Sequence, residues 1–197
     1  MRRFLIAFLL CMSIAGSTLA PALAQPAADQ NDAALWEKLK NGGYTVLIRH
    51  AETDAGIGDP EGFEIGKCST QRNLSSQGRA HAQRIGSAFQ AQGVPVGSVY
   101  TSRWCRCVDT AQLAFGQGMP NRMLNSIFND RSKNADEKLR EVKAATRQPL
   151  AGSNLVLVTH NYNIDAIAGV STAPGEIVVL QNDPQDALKT IGRLQIP

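Results

Sequence analysis

The stretch YTVLIRH, residues 44–50, runs Val46, Leu47 and Ile48 together with no polar alternation and ends in an arginine and a histidine. A strand with one wet face alternates; an unbroken apolar run is the pattern of a parallel strand covered on both faces. NLVLVTH, residues 154–160, reads the same way and also ends in a histidine. Helical and strand patterns alternate around these two runs. DAALWEKLKNGG (32–43) is a short helix with Asp32 as N-cap, a stripe of Leu35, Trp36 and Leu39, and Gly42-Gly43 as its stop. SSQGRAHAQRIGSAFQAQG (75–93) is an amphipathic helix ending at Gly93, VGSVYTS (96–102) a short strand, and RWCRCVDTAQLAFG (103–116) a helix. NADEKLREVKAAT (134–146) is another helix, a short one follows at 161–168, and EIVVLQN (176–182) is a strand. A short strand near Met123 and a weak last one over 192–196 complete the order. The pattern predicts a three-layer α/β/α domain with a mostly parallel central sheet.

In open α/β sheets, ligands bind beyond the carboxyl ends of the strands. His50 and His160 occupy two such ends, with Arg49 beside the first. If the strands are neighbours, both imidazoles and a guanidinium share one crevice. His81, inside the 75–93 helix, reads as a packing or surface residue. Residues 54–70, rich in glycine and turn formers, form a long loop of the kind that carries function.

The chain opens MRRFLIAFLLCMSIAGSTLAPALAQ: two arginines, an apolar run, then small residues. Ala22-Leu23-Ala24 fits a signal-peptidase site, which predicts a cleaved signal over 1–24, a flexible N-terminus over 25–31 and a single domain over 32–197. The apolar run is short for a membrane span, and Leu10 is bulky where a lipoprotein signal before Cys11 needs a small residue. The expectation is a secreted protein, periplasmic in a bacterium, without a stable membrane anchor after cleavage. Loss of Arg2 and Arg3 lowers the net charge from +3 to +1, and no Lys/Arg block follows, so charge gives no case for nucleic acid. The remaining 173 residues suffice for one core. Of the cysteines left, Cys68 pairs with Cys105 or Cys107 in an oxidising compartment, or all three are free thiols, or Cys105-x-Cys107 binds a metal. No Cys/His cluster of zinc spacing supports the last.

Four blocks carry a family resemblance. LIRHAETD (47–54) resembles the Arg-His-Gly signature of the histidine phosphatase superfamily, the phosphoglycerate mutase-like enzymes. QRNLSSQGRAHAQRIG (71–86) is similar to that family's LT/LS-x-x-G-x-x-Q-A helix start, VYTSRWCRCVDTA (99–111) to its TS-x-x-x-R-A-x-x-TA segment, and LVLVTHNYNI (155–164) to its second-histidine strand. The resemblance implies a phosphoglycerate mutase-like fold in which His50 is the phosphorylated nucleophile, Arg49 and Arg106 clamp the phosphoryl oxygens and His160 contacts the phosphoryl group. It implies no metal and no cofactor. Arg103 competes with Arg106 by position alone; the family register favours Arg106. Arg72, from the loop, and Asn161, next to His160, are candidate substrate-binding residues. The chemistry suits the residue types: a neutral imidazole attacks a phosphate without adding charge, and planar guanidiniums bind its oxygens bidentately.

The sequence departs from the family at three points. Ala51 replaces the third signature residue, glycine. Ser126 falls where the mutase-like branch has its acidic glutamate, and Asn161 where the acid phosphatase branch has an aspartate. Asp130 is the first substitute acid and Glu52 the second. Without an acid, good leaving groups such as phosphohistidine, acyl phosphates or phenolic esters are favoured. The chain also lacks the large insertions of glycolytic mutases. The expectation is an exported, metal-independent phosphatase acting on a small phosphorylated substrate or a phosphoprotein. The alternative is a non-catalytic phosphate-binding module of the same fold.

Overall fold

A computed structural model describes residues 30–128, 133–147, 150, 152–182 and 188–197. The predicted signal peptide and Asp130 lie outside the described residues. The helices are α1 (Gln30–Lys40), α2 (Ser76–Ala91), α3 (Cys105–Phe115), α4 (Lys133–Thr146) and α5 (Asn161–Ala168). The strands are β1 (Tyr44–Arg49), β2 (Val96–Thr101), β3 (Met119–Pro120), β4 (Asn154–Thr159), β5 (Ile177–Asn182) and β6 (Leu188–Leu194). They form one sheet in the order β3-β2-β4-β1-β5-β6. The first three pairings are parallel; β5 runs antiparallel to β1, and β6 to β5.

The pleat sorts the apolar run of β1 between two cores. Val46 and Ile48 join Leu39 of α1, Phe89 of α2 and Ala111 of α3 on one face. Leu47 faces the other way, onto Val142 of α4 and Ile164 of α5. Alternate side chains of a strand point to opposite faces, so a strand covered on both sides must be apolar at every position. Every residue of β4 is buried. The three-layer reading of the sequence is the observed one.

The structure corrects three details. Helix α1 starts at Gln30, placing Asp32 inside the first turn, where its charge favours the helix dipole. The short strand lies at Met119–Pro120; Met123 sits in a 3-10 turn, whose Asn121 side chain accepts the Met123 N–H at 3.0 Å. The last strand begins at Leu188 rather than near Gly192. Among the described residues, no helix is long and apolar enough to cross a membrane.

Candidate active site

Strands β1 and β4 are hydrogen-bonded neighbours with Arg49 opposite Thr159, so the residues that follow them emerge side by side. The His50 and His160 rings lie 5.4 Å apart, centre to centre, at 69°. Both are buried, 5% and 4% exposed. The His50 backbone N–H donates to the Thr159 carbonyl at 2.9 Å, which ties the two ends together.

His50 Nδ1 lies 2.8 Å from the Ala51 carbonyl oxygen, an acceptor only, so Nδ1 carries the proton and Nε2 keeps its lone pair. Burial, reinforced by the charges of Arg106, Arg49 and Arg72, outweighs that carbonyl and pushes the imidazolium down to about 3. His50 is therefore a neutral nucleophile at any physiological pH. Ala51, fully buried, packs with Leu74 and Ala82, and the N-terminus of α2 presses on the adjacent backbone. A Cβ at Gly78 would come within 1.9 Å of the Glu52 carbonyl oxygen. His160 Nε2 lies 2.8 Å from Ser102 Oγ at the end of β2, and its imidazolium is also held well below the ordinary range, chiefly by burial.

These two histidines make stability depend on pH. Unfolded, each takes a proton near pH 6.5; folded, neither does until the pH is far lower. Their contribution is complete above pH 6.5 and is lost as pH falls, continuing to about 3 for His50. Each group contributes at most about 1.4 kcal/mol per pH unit in that window. Between pH 6.5 and 5 the unfolding free energy of His50→Gln should fall less steeply than that of wild type, by about 1 kcal/mol per unit. Parallel denaturation curves for the two proteins would refute this.

Three arginines converge on the same cavity, which measures about 890 Å³. Arg106, in the first turn of α3, is buried, whereas Arg103 is exposed and does not line the cavity. The position favoured by the family register is thus the one in the site. Among the described residues, six buried side-chain polar atoms have no hydrogen-bond partner, and three of these are Nε of Arg49, Arg72 and Arg106. In each case Nη1 is anchored: Arg49 to the Thr172 carbonyl, Arg72 to the Gly56 carbonyl, and Arg106 to Asp59 and the Arg72 carbonyl. Buried donors are nearly always paired. Three anchored guanidiniums, each with a buried and unpaired Nε–H, border this one cavity and make it a cradle of positive charge suited to an anion.

Sequence reasoning missed Asp59. It lies in the 54–70 loop, its side chain 7% exposed, and bridges Arg106 Nη1 at 2.7 Å and Nη2 at 3.3 Å. It also accepts the Trp104 indole N–H at 2.8 Å and the Arg72 backbone N–H at 3.0 Å. Burial alone would raise this carboxyl, but the Arg106 guanidinium and the two N–H donors outweigh it and hold the group below its ordinary value. Asp59 is thus a fixed anion that takes the Nη1–Nη2 end of the Arg106 guanidinium and leaves its Nε unpaired. With Lys138, which also lines the cavity, three guanidiniums and one carboxylate leave a net +3, a field suited to a phosphate monoester carrying about −2.

The loop that carries Asp59 is stapled to α3. Cys68 and Cys105 form a disulfide, and Cys107 remains a free, buried thiol that burial pushes up to about 12. Gln71 accepts the Cys105 backbone N–H at 2.9 Å beside the staple. The other candidates fall as follows. Arg72, Asn161 and Ser126 line the cavity, but Glu52 does not. It is exposed, with its backbone held by Ser75 and Gly78, so the second substitute acid has no place in the site. Asn161 spends its side-chain oxygen on Thr172 N–H (2.7 Å) and the hydroxyls of Thr172 and Ser171, and so holds the carbonyl to which Arg49 is anchored.

Residues 45–127 match the family model of the histidine phosphatase superfamily, branch 1. Over that stretch the chain is similar to that superfamily. Solved members share the fold at low sequence identity. A phosphoserine phosphatase from Entamoeba histolytica, in complex with 3-phosphoglyceric acid, superposes with a TM-score of 0.59 at 13% identity, over 77% of this chain and 96% of that one. The alpha-ribazole phosphatase of Shigella flexneri gives 0.54 at 14%, over 75% and 94%. The protein histidine phosphatase SixA, complexed with tungstate, gives 0.53 at 12%, over 77% and 96%. No curated protein matches the sequence significantly. In this fold, Arg49 at the end of β1, His50 just after it and His160 after β4 meet at the carboxyl edge of the sheet.

Proposed function

We propose that this protein is an exported phosphatase that hydrolyses a phosphorylated substrate through a phosphohistidine on His50, with guanidiniums rather than a bound metal meeting the phosphoryl charge. The observation that carries the reading is the His50 ring itself. Its Nδ1–H is fixed on Ala51 and its Nε2 is free beside three guanidiniums with unpaired Nε–H groups.

In this reading the phosphoryl oxygens accept hydrogen bonds from the guanidiniums of Arg49, Arg72 and Arg106. Nε2 attacks phosphorus as the bond to the leaving oxygen breaks and the electron pair departs on that oxygen. The Nδ1–H bond to the Ala51 carbonyl supports the positive charge that develops on the ring. Water then attacks the phosphohistidine, inorganic phosphate leaves, and Nε2 regains its lone pair. Charge spreading over the equatorial oxygens meets donors already aimed, so little reorganisation is needed. A small phosphorylated substrate or a phosphorylated side chain of a protein would serve.

Export is supported by the N-terminal pattern and by the Cys68–Cys105 disulfide, a bond that persists in oxidising compartments. The expected mature N-terminus is Gln25.

The test is a rapid quench with ³²P-labelled aryl phosphate in EDTA. The expected result is an acid-labile, alkali-stable label on the peptide containing His50, formed and lost at rates that account for turnover. Bound phosphate with neither label nor turnover would leave the non-catalytic binding module as the better reading.

A further inference from the structure

The cavity carries more than the phosphate cradle. Among the described residues five large apolar side chains are exposed, and four of them, Ile57, Ile65, Phe128 and Tyr162, line this one cavity. Ile57 is 95% exposed. An apolar side chain left in water at one place has no packing reason, and a cluster of them marks a surface kept for a ligand. Here the cluster is continuous with the cradle. The Trp104 ring lies 5.9 Å from the Arg106 guanidinium carbon and 5.4 Å from the His160 ring. It passes the contact outward to Phe63, 5.7 Å away at 39°. Phe128 and Tyr162 form a second tilted pair, 4.9 Å apart at 40°. The phosphoryl group thus has aromatic rings next to it along the way to solvent.

The leaving oxygen meets a different restriction. Asp59 is the one carboxylate lining the cavity among the described residues, and it is committed to Arg106 as an anion. Ser126 and Asn161 have no proton acidic enough to give an alkoxide, and Lys138, which also lines the cavity, brings positive charge but no carboxylic proton. An alkyl leaving group needs such a proton in the transition state, whereas a phenol departs as a phenolate with a conjugate acid near 10, as tyrosine has.

We infer that the substrate is an aryl phosphate monoester whose aromatic leaving group stacks in the mouth formed by Phe63, Trp104, Phe128 and Tyr162. The inference rests on the phosphatase reading above and specifies its substrate. The rings supply flat contacts that an aliphatic chain of equal size cannot match, and the leaving group asks for no acid.

The experiment compares 1-naphthyl phosphate with octyl phosphate, two esters of similar apolar bulk, on the purified protein. The aryl ester should exceed the alkyl ester in kcat/KM by about 100-fold or more, the usual worth of a general acid that only the alkyl ester needs. The double variant Phe128→Ala/Tyr162→Ala should raise KM for the naphthyl ester about tenfold with kcat within about threefold, and leave the inhibition constant of inorganic phosphate unchanged. A second variant, Phe128→Leu/Tyr162→Leu, keeps the apolar bulk and should show the same loss on the naphthyl ester. Octyl phosphate turned over as fast as naphthyl phosphate, or a double variant with wild-type KM, overturns the aryl assignment while leaving the phosphatase standing, provided His50→Ala abolishes that turnover. No His50-dependent turnover of either ester overturns both.

Discussion

Arg106→Ala should lower kcat/KM on an aryl phosphate by on the order of 1,000-fold, because it removes a donor aimed at charge that develops in the transition state. It should also destabilise the fold, for a separate reason. Asp59, 7% exposed, would keep only the Trp104 and Arg72 N–H groups, and removing one partner of a buried ion pair costs about 3–5 kcal/mol. The double variant Arg106→Ala/Asp59→Ala should recover part of that stability and none of the activity, since the stranded carboxylate is then gone. Asp59→Asn separates the two roles. It frees the end of Arg106 while leaving the guanidinium in place, so kcat should fall by about 10–100-fold as the donor loses its fixed aim. The inhibition constant of inorganic phosphate should stay level or tighten, with one negative charge fewer beside the anion. Chemical denaturation and steady-state kinetics on the set decide the matter. Arg106→Ala within tenfold of wild type, or a double variant no more stable than the single, would refute the account.

Reducing the Cys68–Cys105 bond should have the second largest effect. The bridge spans a separation of 37 residues, and the chain-entropy model puts closure of a loop of that size at about 4 kcal/mol. For a domain of this length that corresponds to about 8–16 °C in melting midpoint. Activity should drop as well, because the released loop holds Asp59, and through it Arg106. The variant Cys68→Ser/Cys105→Ser should reproduce both losses and no longer respond to reductant. Wild-type protein whose midpoint moves less than about 2 °C on reduction would show that the loop holds without its staple.

Some parts of the site were legible in the sequence for a local reason. His50 and His160 end runs that only a covered strand can carry, so their positions follow from six or seven consecutive residues each. Their adjacency needed the sheet order, and the pairing of β1 with β4 supplied it. Asp59 had no such signal. It stands in a loop without periodicity, and the Trp104 and Arg106 side chains it binds lie 45 and 47 residues away. The disulfide partner was undecided for a related reason. Cys105 and Cys107 are both on α3, and residues two apart on a helix face different ways. Cys105 meets the loop while Cys107 turns into the core against the sheet, a distinction set by helix phase relative to a loop that periodicity does not place. Glu52 lies two residues past the nucleophile, yet α2 clamps its backbone and leaves its side chain in solvent.

Asn161 limits how this site could be re-engineered. A designer seeking activity on alkyl esters would be drawn to an aspartate there, directly after His160, to supply the missing proton. One oxygen of residue 161 already accepts three donors from Ser171 and Thr172. A carboxylate in that seat would accept the same donors, which favour its ionised form. The change would install another anion where an acid was wanted, on the bracket from which Arg49 hangs.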